Sequence, residues 1–236
     1  MNWPEGVGRI VLDTVGSTSE EARVRAGNGP VWVLACHQTA ARGRRGRPWS
    51  MPEGNFAASL AWHPTGSPAE HGLRSFTASL ALAEALEAFG VTGLTLKWPN
   101  DVLRHGGKLA GILLESPAPG LLVLGIGVNL AAAPEAVEAG ALSPAALDGS
   151  IAPEALLDVL APAFAAREAQ LVRDGFGPIR EDWLARAGGL GGPVTARLMT
   201  REVRGTFADV DEVGHLVLDT PQGRQHLPAG DVFFGG

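Results

Sequence analysis

Four glycines in five residues, Gly188-Gly189-Leu190-Gly191-Gly192, form the clearest linker in this chain of 236 residues, and the hydrophobic pattern changes across it. Before the linker come long apolar strands and stretches with 3.6-residue spacing. After it come five short alternating strands in about 45 residues, the pattern of a small barrel. One large unit at residues 1–188 and a small barrel at residues 189–236 are therefore expected. A chain of this size buries roughly 70% of its unfolded surface, so neither a disulfide nor a metal is needed to hold the core. With 45% hydrophobic and 19% charged residues and a mean hydropathy of +0.10, it reads as a soluble globular protein. Cys36 is the one cysteine, which points to a reducing cytoplasm, and its apolar strand makes it a small core residue. The longest apolar run, Leu121 to Val128, falls short of the roughly 20 residues of a membrane span. Met1-Asn2-Trp3-Pro4-Glu5 has neither the basic nor the apolar region of an export signal.

Strands are expected at 9–13, 31–36, 55–62, 94–98, 102–103, 109–115 and 121–129, and helices at 17–26, 69–89, 153–172 and 178–187. Ser17 with Glu20 and Thr18 with Glu21 offer two overlapping capping boxes for the first helix. Residues 38–54 have no period and form a long loop, and 131–150 form another. Gly106-Gly107 marks a hairpin turn. The barrel strands fall at 194–199, 203–207, 216–218, 225–227 and 232–233.

A net charge of −6 argues against general affinity for nucleic acid. Of nineteen basic residues only Lys97 and Lys108 are lysine, which singles them out, because an ammonium and a guanidinium are not interchangeable in a tight site. There is no tyrosine, so no phenol can serve as acid, base or nucleophile. Arg42-Gly43-Arg44-Arg45-Gly46-Arg47 is the strongest local feature. Guanidinium forks bind carboxylate and phosphate, and the glycines admit a ligand close to the backbone. A solvated basic loop and a nucleic-acid contact are the competing readings. Lys97-Trp98-Pro99-Asn100-Asp101 and Lys108-Leu109-Ala110-Gly111-Ile112 lie on segments joined by a short hairpin, so the two lysines can converge. Gly125-Ile126-Gly127-Val128-Asn129 ends an apolar strand with room for a ligand or a bulge. Ser17-Thr18 is either a helix cap or part of a site at a helix N-terminus. No zinc spacing and no Gly-x-Ser-x-Gly elbow occurs.

Together, Ser17-Thr18, Gln38 with the arginine loop and Trp49, Lys97 to Asp101, Lys108 to Glu115 and Gly125 to Asn129 resemble the biotin–protein ligases. They stand in that family's order and spacing over residues 10–130, and the barrel extends the resemblance to nearly the whole chain. The implied fold is α+β: a mixed sheet with flanking helices, of the class II synthetase-like, biotin–lipoate ligase type, followed by an SH3-like β-barrel. The implied reaction joins biotin to ATP, giving biotinyl-5′-AMP, and passes biotin to a lysine of a biotin carboxyl carrier domain of a biotin-dependent carboxylase. Mg²⁺ accompanies ATP, and its ligands are unassigned. By the resemblance Lys108, Arg42 and Arg44 are catalytic. Biotin is held by Ser17, Thr18, Ser19, Gln38, Arg42, Gly43, Arg44, Trp49, Lys108 and Gly111, and ATP by Arg44, Arg45, Lys97, Asn100 and Asn129.

Some positions depart from the family pattern. Ala41 replaces a glycine before the loop, Gly16 and Ser19 replace Asp and Asn beside Ser17-Thr18, and residues 131–150 carry no aromatic to stack on adenine. The chain matches the short form, without the helix-turn-helix domain that makes some relatives repressors, so neither DNA nor a membrane is an expected partner; a homodimer is left open. The alternatives are a lipoate–protein ligase, which shares the fold and chemistry, and a basic-loop nucleic-acid binder, whose binding would fall steeply with salt.

Overall fold

The structure, a computed structural model, describes residues 2–134 and 142–235. Its larger sheet has seven strands. Strands β1 (Gly8–Val15) and β2 (Val31–Gln38) run parallel, joined by a crossover containing helix α1 (Thr18–Arg25). Strand β3 (Phe56–Trp62) follows antiparallel to β2. Strands β4 (Leu94–Lys97), β5 (Asp101–Arg104), β6 (Gly107–Ala118) and β7 (Leu121–Val128) fold as a meander, and β7 inserts against β3, giving the order β1-β2-β3-β7-β6-β5-β4.

The central strands β2, β3 and β7 are apolar without alternation because both faces of the sheet are covered there. Trp32 and Leu34 of β2 belong to the main core with helices α3 (Arg74–Ala88) and α4 (Pro153–Asp174), while Val31 and Val33 pack with Ala22 and Ala26 on the other side. Phe164 of α4 meets Trp32 and Trp62 edge-on at 6.2 and 5.7 Å between ring centroids. Helix α5 (Phe176–Leu184) adds Trp183, whose indole N–H donates to Ser79 Oγ at 3.1 Å.

Several expectations are corrected. The helix expected at 69–89 is two, α2 (Pro68–His71) and α3, with Gly72 between them; Ser67 and Glu70 supply a complete capping box at the first. The capping boxes expected at α1 do not form. Ser17 makes no side-chain cap, Glu20 and Glu21 pair with Arg23 and Arg25, and the Thr18 hydroxyl turns to Gln38 and Ser59. Burial in β2 stops at Ala35, so Cys36 is exposed rather than in the core. The β5–β6 turn is formed by His105 and Gly106, both with positive φ (48° and 82°), and Gly107 is already the partner of Arg104. Residues 135–141 of the loop expected at 131–150 lie outside the described residues.

Beyond the glycine run, β8 (Pro193–Arg197), β9 (Glu202–Val210), β10 (Leu216–Thr220), β11 (Gly223–Leu227) and β12 (Asp231–Phe234) form an antiparallel SH3-like barrel in the order β11-β10-β9-β8-β12. Val194, Ala196, Phe207, Leu216, Leu218 and Val232 fill its interior. The barrel is tied to the large sheet. Trp98 Nε1 donates to Gly214 O at 3.0 Å, and the segment leading into the barrel is held on the β4 edge, where Leu96 N donates to Arg186 O and Gly188 N to Leu96 O, both at 2.8 Å. No helix among the described residues is long and apolar enough to cross a membrane.

Candidate active site

A cavity of about 400 Å³ opens over β6 and β7 where the large sheet faces the barrel. Its floor is made of glycine. A Cβ on Gly127 would stand 2.6 Å from the Trp49 indole, one on Gly111 3.1 Å from the same ring, and one on Gly125 3.0 Å from Ser19 Oγ. The indole therefore lies directly on the backbone of two strands, which no other residue type at Gly127 would permit without displacing it.

One end of this trough is polar and uncharged. Gln38, at the end of β2, accepts from Thr18 N at 2.7 Å and Thr18 Oγ1 at 3.1 Å. Ser59 of β3, buried, lies 2.8 Å from Thr18 Oγ1 and 3.1 Å from Ser19 Oγ. The first turn of α1 is thus stitched to β2 and β3 by the Thr18 and Ser19 hydroxyls, which takes the Thr18 hydroxyl away from a capping role.

The other end is cationic. Lys108 Nζ is 2.7 Å from Asp101 Oδ1 and Lys97 Nζ is 3.4 Å from Asp101 Oδ2, so one buried carboxylate holds both lysines. Lys97 is buried, and burial lowers its pKa, aided by Lys108, against the opposing pull of Asp101. Lys108 stays about one-third exposed toward the cavity, with Nζ 5.7 Å from the Trp49 ring centroid. The Lys97–Asp101 corner, which includes a cis Trp98–Pro99 bond, is locked to β6: Ile112 N donates to Asn100 O at 2.9 Å and Asn100 Nδ2 donates to Ile112 O at 2.5 Å. Asn129 Nδ2 donates to Ala145 O at 2.9 Å, and its buried Oδ1 has no hydrogen-bond partner among the described residues.

The arginine loop covers this end. Gly43 N donates to Arg47 O at 2.8 Å and Trp49 N to Ala41 O at 3.0 Å, so the loop is a closed ring; Arg45 (φ 58°) and Gly46 (φ 72°) make its tip. Arg44 Nη1 donates to Asn100 Oδ1 and to Gly230 O of the barrel, both at 3.3 Å, and burial lowers the pKa of its guanidinium. Asp231 of β12 receives the loop: Arg45 Nη1 donates to Oδ2 at 2.8 Å and Arg47 Nη2 at 3.0 Å. Burial alone would raise the Asp231 carboxyl, but the hydrogen bond from Arg47 and the charges of Arg45, Arg47 and Arg44 hold it below the usual carboxylate range.

Ser17, Thr18, Ser19, Gln38, Arg42, Gly43, Arg44, Trp49, Lys97, Asn100, Lys108, Gly111 and Asn129 all line the cavity. Arg45, expected to hold ATP, is not among the residues lining the cavity, and its Nη1 donates to Asp231 Oδ2. Sequence reasoning left Asp101, Ser59 and Asp231 out of the site. Asp101 had a signal, standing within the Lys97–Asp101 motif. Ser59 and Asp231 had none, one being a lone serine in an apolar strand and the other an acidic residue in a distant barrel. Among the described residues no group of three or more His, Cys, Asp and Glu converges as a metal ion would need.

The combination of this sheet and this barrel occurs in a known class. The biotin protein ligase of Aquifex aeolicus, solved with biotin and ATP, has the same fold, with a TM-score of 0.85 at 22% identity over 97% of this chain and 99% of that one. Residues 11–129 match the sequence profile of the biotin/lipoate A/B protein ligase family, and residues 189–235 that of the biotin protein ligase C-terminal domain. The chain is 50% identical to the biotin–[acetyl-CoA-carboxylase] ligase of Paracoccus denitrificans, covering 96% of this chain and 100% of the relative. It is 35% identical to the enzyme of the same name from Mycobacterium tuberculosis, over 96% and 90%. This protein belongs to the biotin/lipoate A/B protein ligase family.

Proposed function

We propose that this protein is an ATP-dependent biotin–protein ligase. It activates biotin as biotinyl-5′-AMP and transfers it to a lysine of a biotin carboxyl carrier domain of a biotin-dependent carboxylase. The observation that carries the reading is the polarity of the trough: hydroxyls and an amide at one end, an apolar and glycine middle under Trp49, and Lys108 with Arg44 at the other. Biotin has the same polarity, with a ureido head, an apolar body and a terminal carboxylate. Lipoate has no ureido group to meet Thr18, Ser19, Gln38 and Ser59, so the hydroxyl end favours biotin.

In the first step a carboxylate oxygen of biotin attacks the α-phosphorus of MgATP, the bond to the bridging oxygen breaks, and pyrophosphate leaves. Anion approaches anion, so fixed cations must offset the charge without blocking the line of attack. Lys108 faces the carboxylate and Arg44, with Arg42 at the rim, faces the phosphates. A magnesium ion brought in on the nucleotide would supply positive charge to the leaving pyrophosphate. In the second step the carrier's lysine amine attacks the acyl carbon and AMP leaves. Trp49 and the loop keep water from the adenylate meanwhile. We place the enzyme in the cytoplasm, where its carrier is made. It has no DNA-binding role, because the chain is acidic and its arginine loop is already engaged by Asp231. Mass detection of biotinyl-5′-AMP after mixing the protein with biotin, lipoate and MgATP tests the reading. Formation of lipoyl-AMP instead, or of neither adenylate, would refute it.

A further inference from the structure

The four arginines of the loop divide into two kinds. Arg44 lines the cavity and is fastened to Asn100 and Gly230. Arg45 lies outside the cavity lining, and its Nη1 ends on Asp231 Oδ2 at 2.8 Å, the oxygen that Arg47 also reaches. Among the described residues the ion pairs of Asp231 run to this loop, with Arg44 Nη1 3.7 Å from Oδ1. Its own backbone is fixed by pairing with Arg197 at the start of β12. Arg45 also holds a left-handed backbone (φ 58°), which a residue with a side chain adopts only when something holds it there. The barrel thus grips the tip of a loop whose next guanidinium faces the site.

We propose that Arg45 and Asp231 form a strut between barrel and loop, and that both are positioning residues for Arg44. On this assignment Arg45 does not hold a nucleotide phosphate; it acts through Asp231. The proposal rests on the reading that the cavity forms an adenylate from ATP. A loop closed for only a fraction of the time binds its ligand more weakly by that fraction, while the rate once bound is unchanged. Loss of the strut should therefore raise the KM for ATP and spare kcat.

The test compares Arg45→Ala, Asp231→Asn and the double variant, all in the full-length chain. Amide hydrogen exchange over residues 42–49 is measured in the free protein, and adenylate formation is measured against ATP concentration. Each single variant should speed exchange about tenfold, raise the KM for ATP about tenfold and leave the rate at saturating ATP within about twofold. The double variant should match Asp231→Asn within about twofold, because that change already removes the carboxylate that Arg45 reaches. A double variant about tenfold worse than Asp231→Asn would mean that Arg45 touches the nucleotide itself, and would overturn the proposal. So would an Asp231→Asn protein with unchanged exchange and unchanged KM. If the parent forms no biotinyl adenylate, the functional reading fails, and the exchange data on the free protein still decide the strut.

Discussion

Lys108 carries the sharpest expectation at the scale of single residues. An ammonium about 4 Å from a carboxylate is worth on the order of 4 kcal/mol at an effective dielectric near 20, and part of that contact tightens as charge moves. Lys108→Ala should slow single-turnover adenylate formation by about 10²–10³-fold while still transferring biotin from supplied biotinyl-5′-AMP. Lys108→Arg should also be slow, because the planar fork cannot take the ammonium's place beside Asp101 and Trp49. If both variants form adenylate at the parent rate, Lys108 is not the catalytic cation. Gly127 makes a second case. The methyl group of Gly127→Ala must push the indole of Trp49 off the strand, and calorimetry should show biotin binding weakened by about 10–100-fold (about 1.4–2.7 kcal/mol). Unchanged affinity would mean that Trp49 takes no part in the pocket. Much at this scale was legible beforehand: two lysines in an arginine-rich chain are conspicuous, and hydroxyls beside a helix start are candidates on sight. Ser59 was not, because nothing local separates a serine that completes a hydroxyl cluster from one merely tolerated in a strand.

Among the elements, the arginine loop is the one whose behaviour should change with ligand. It has few apolar anchors beyond Trp49, and its bonds to the rest of the molecule are mostly ion pairs and single hydrogen bonds. Residues 38–49 should therefore exchange amide hydrogens more slowly once biotin or the adenylate is bound. Equal protection with and without biotin would show that the loop is already rigid. The central strands were legible from unbroken apolar runs, since covering both faces of a sheet removes alternation. The break between α2 and α3 was not: the apolar spacing continues through Gly72, and the capping box that starts α2 lies just before it. The α1 boxes misled for a related reason. Ser17, Thr18, Glu20 and Glu21 have the right spacing, but Gln38 and Ser59 compete for the Thr18 hydroxyl, and Arg23 and Arg25 take the carboxylates.

Taken as a whole, the molecule closes its site from two sides, and the barrel's contribution was invisible in sequence because Asp231 lies 184 to 187 residues from the arginines it binds. That contact has a pH signature. The Asp231 carboxyl is held below its ordinary value in the folded protein, so its stabilisation is fully present above about pH 4 and is lost as the pH falls through the lowered value. The stability gap between the parent and Asp231→Asn should be about 1 kcal/mol near neutrality and should close in acid, as read from urea midpoints at several pH values. A gap that stays constant would assign the effect to packing rather than charge.

The indole lying on the Gly127 backbone has an optical consequence. Of the six tryptophans, Trp32, Trp62, Trp98 and Trp183 are at most 7% exposed and shielded from events in the trough. Trp3 is stacked with Arg9 near the start of β1. Trp49 alone has its ring against the trough floor, beside the Lys108 ammonium, a cation able to perturb its excited state. The protein should consequently report its own occupancy. Its intrinsic emission should shift when biotin fills the trough, and that shift should disappear in Trp49→Phe, so biotin binding can be timed without a label.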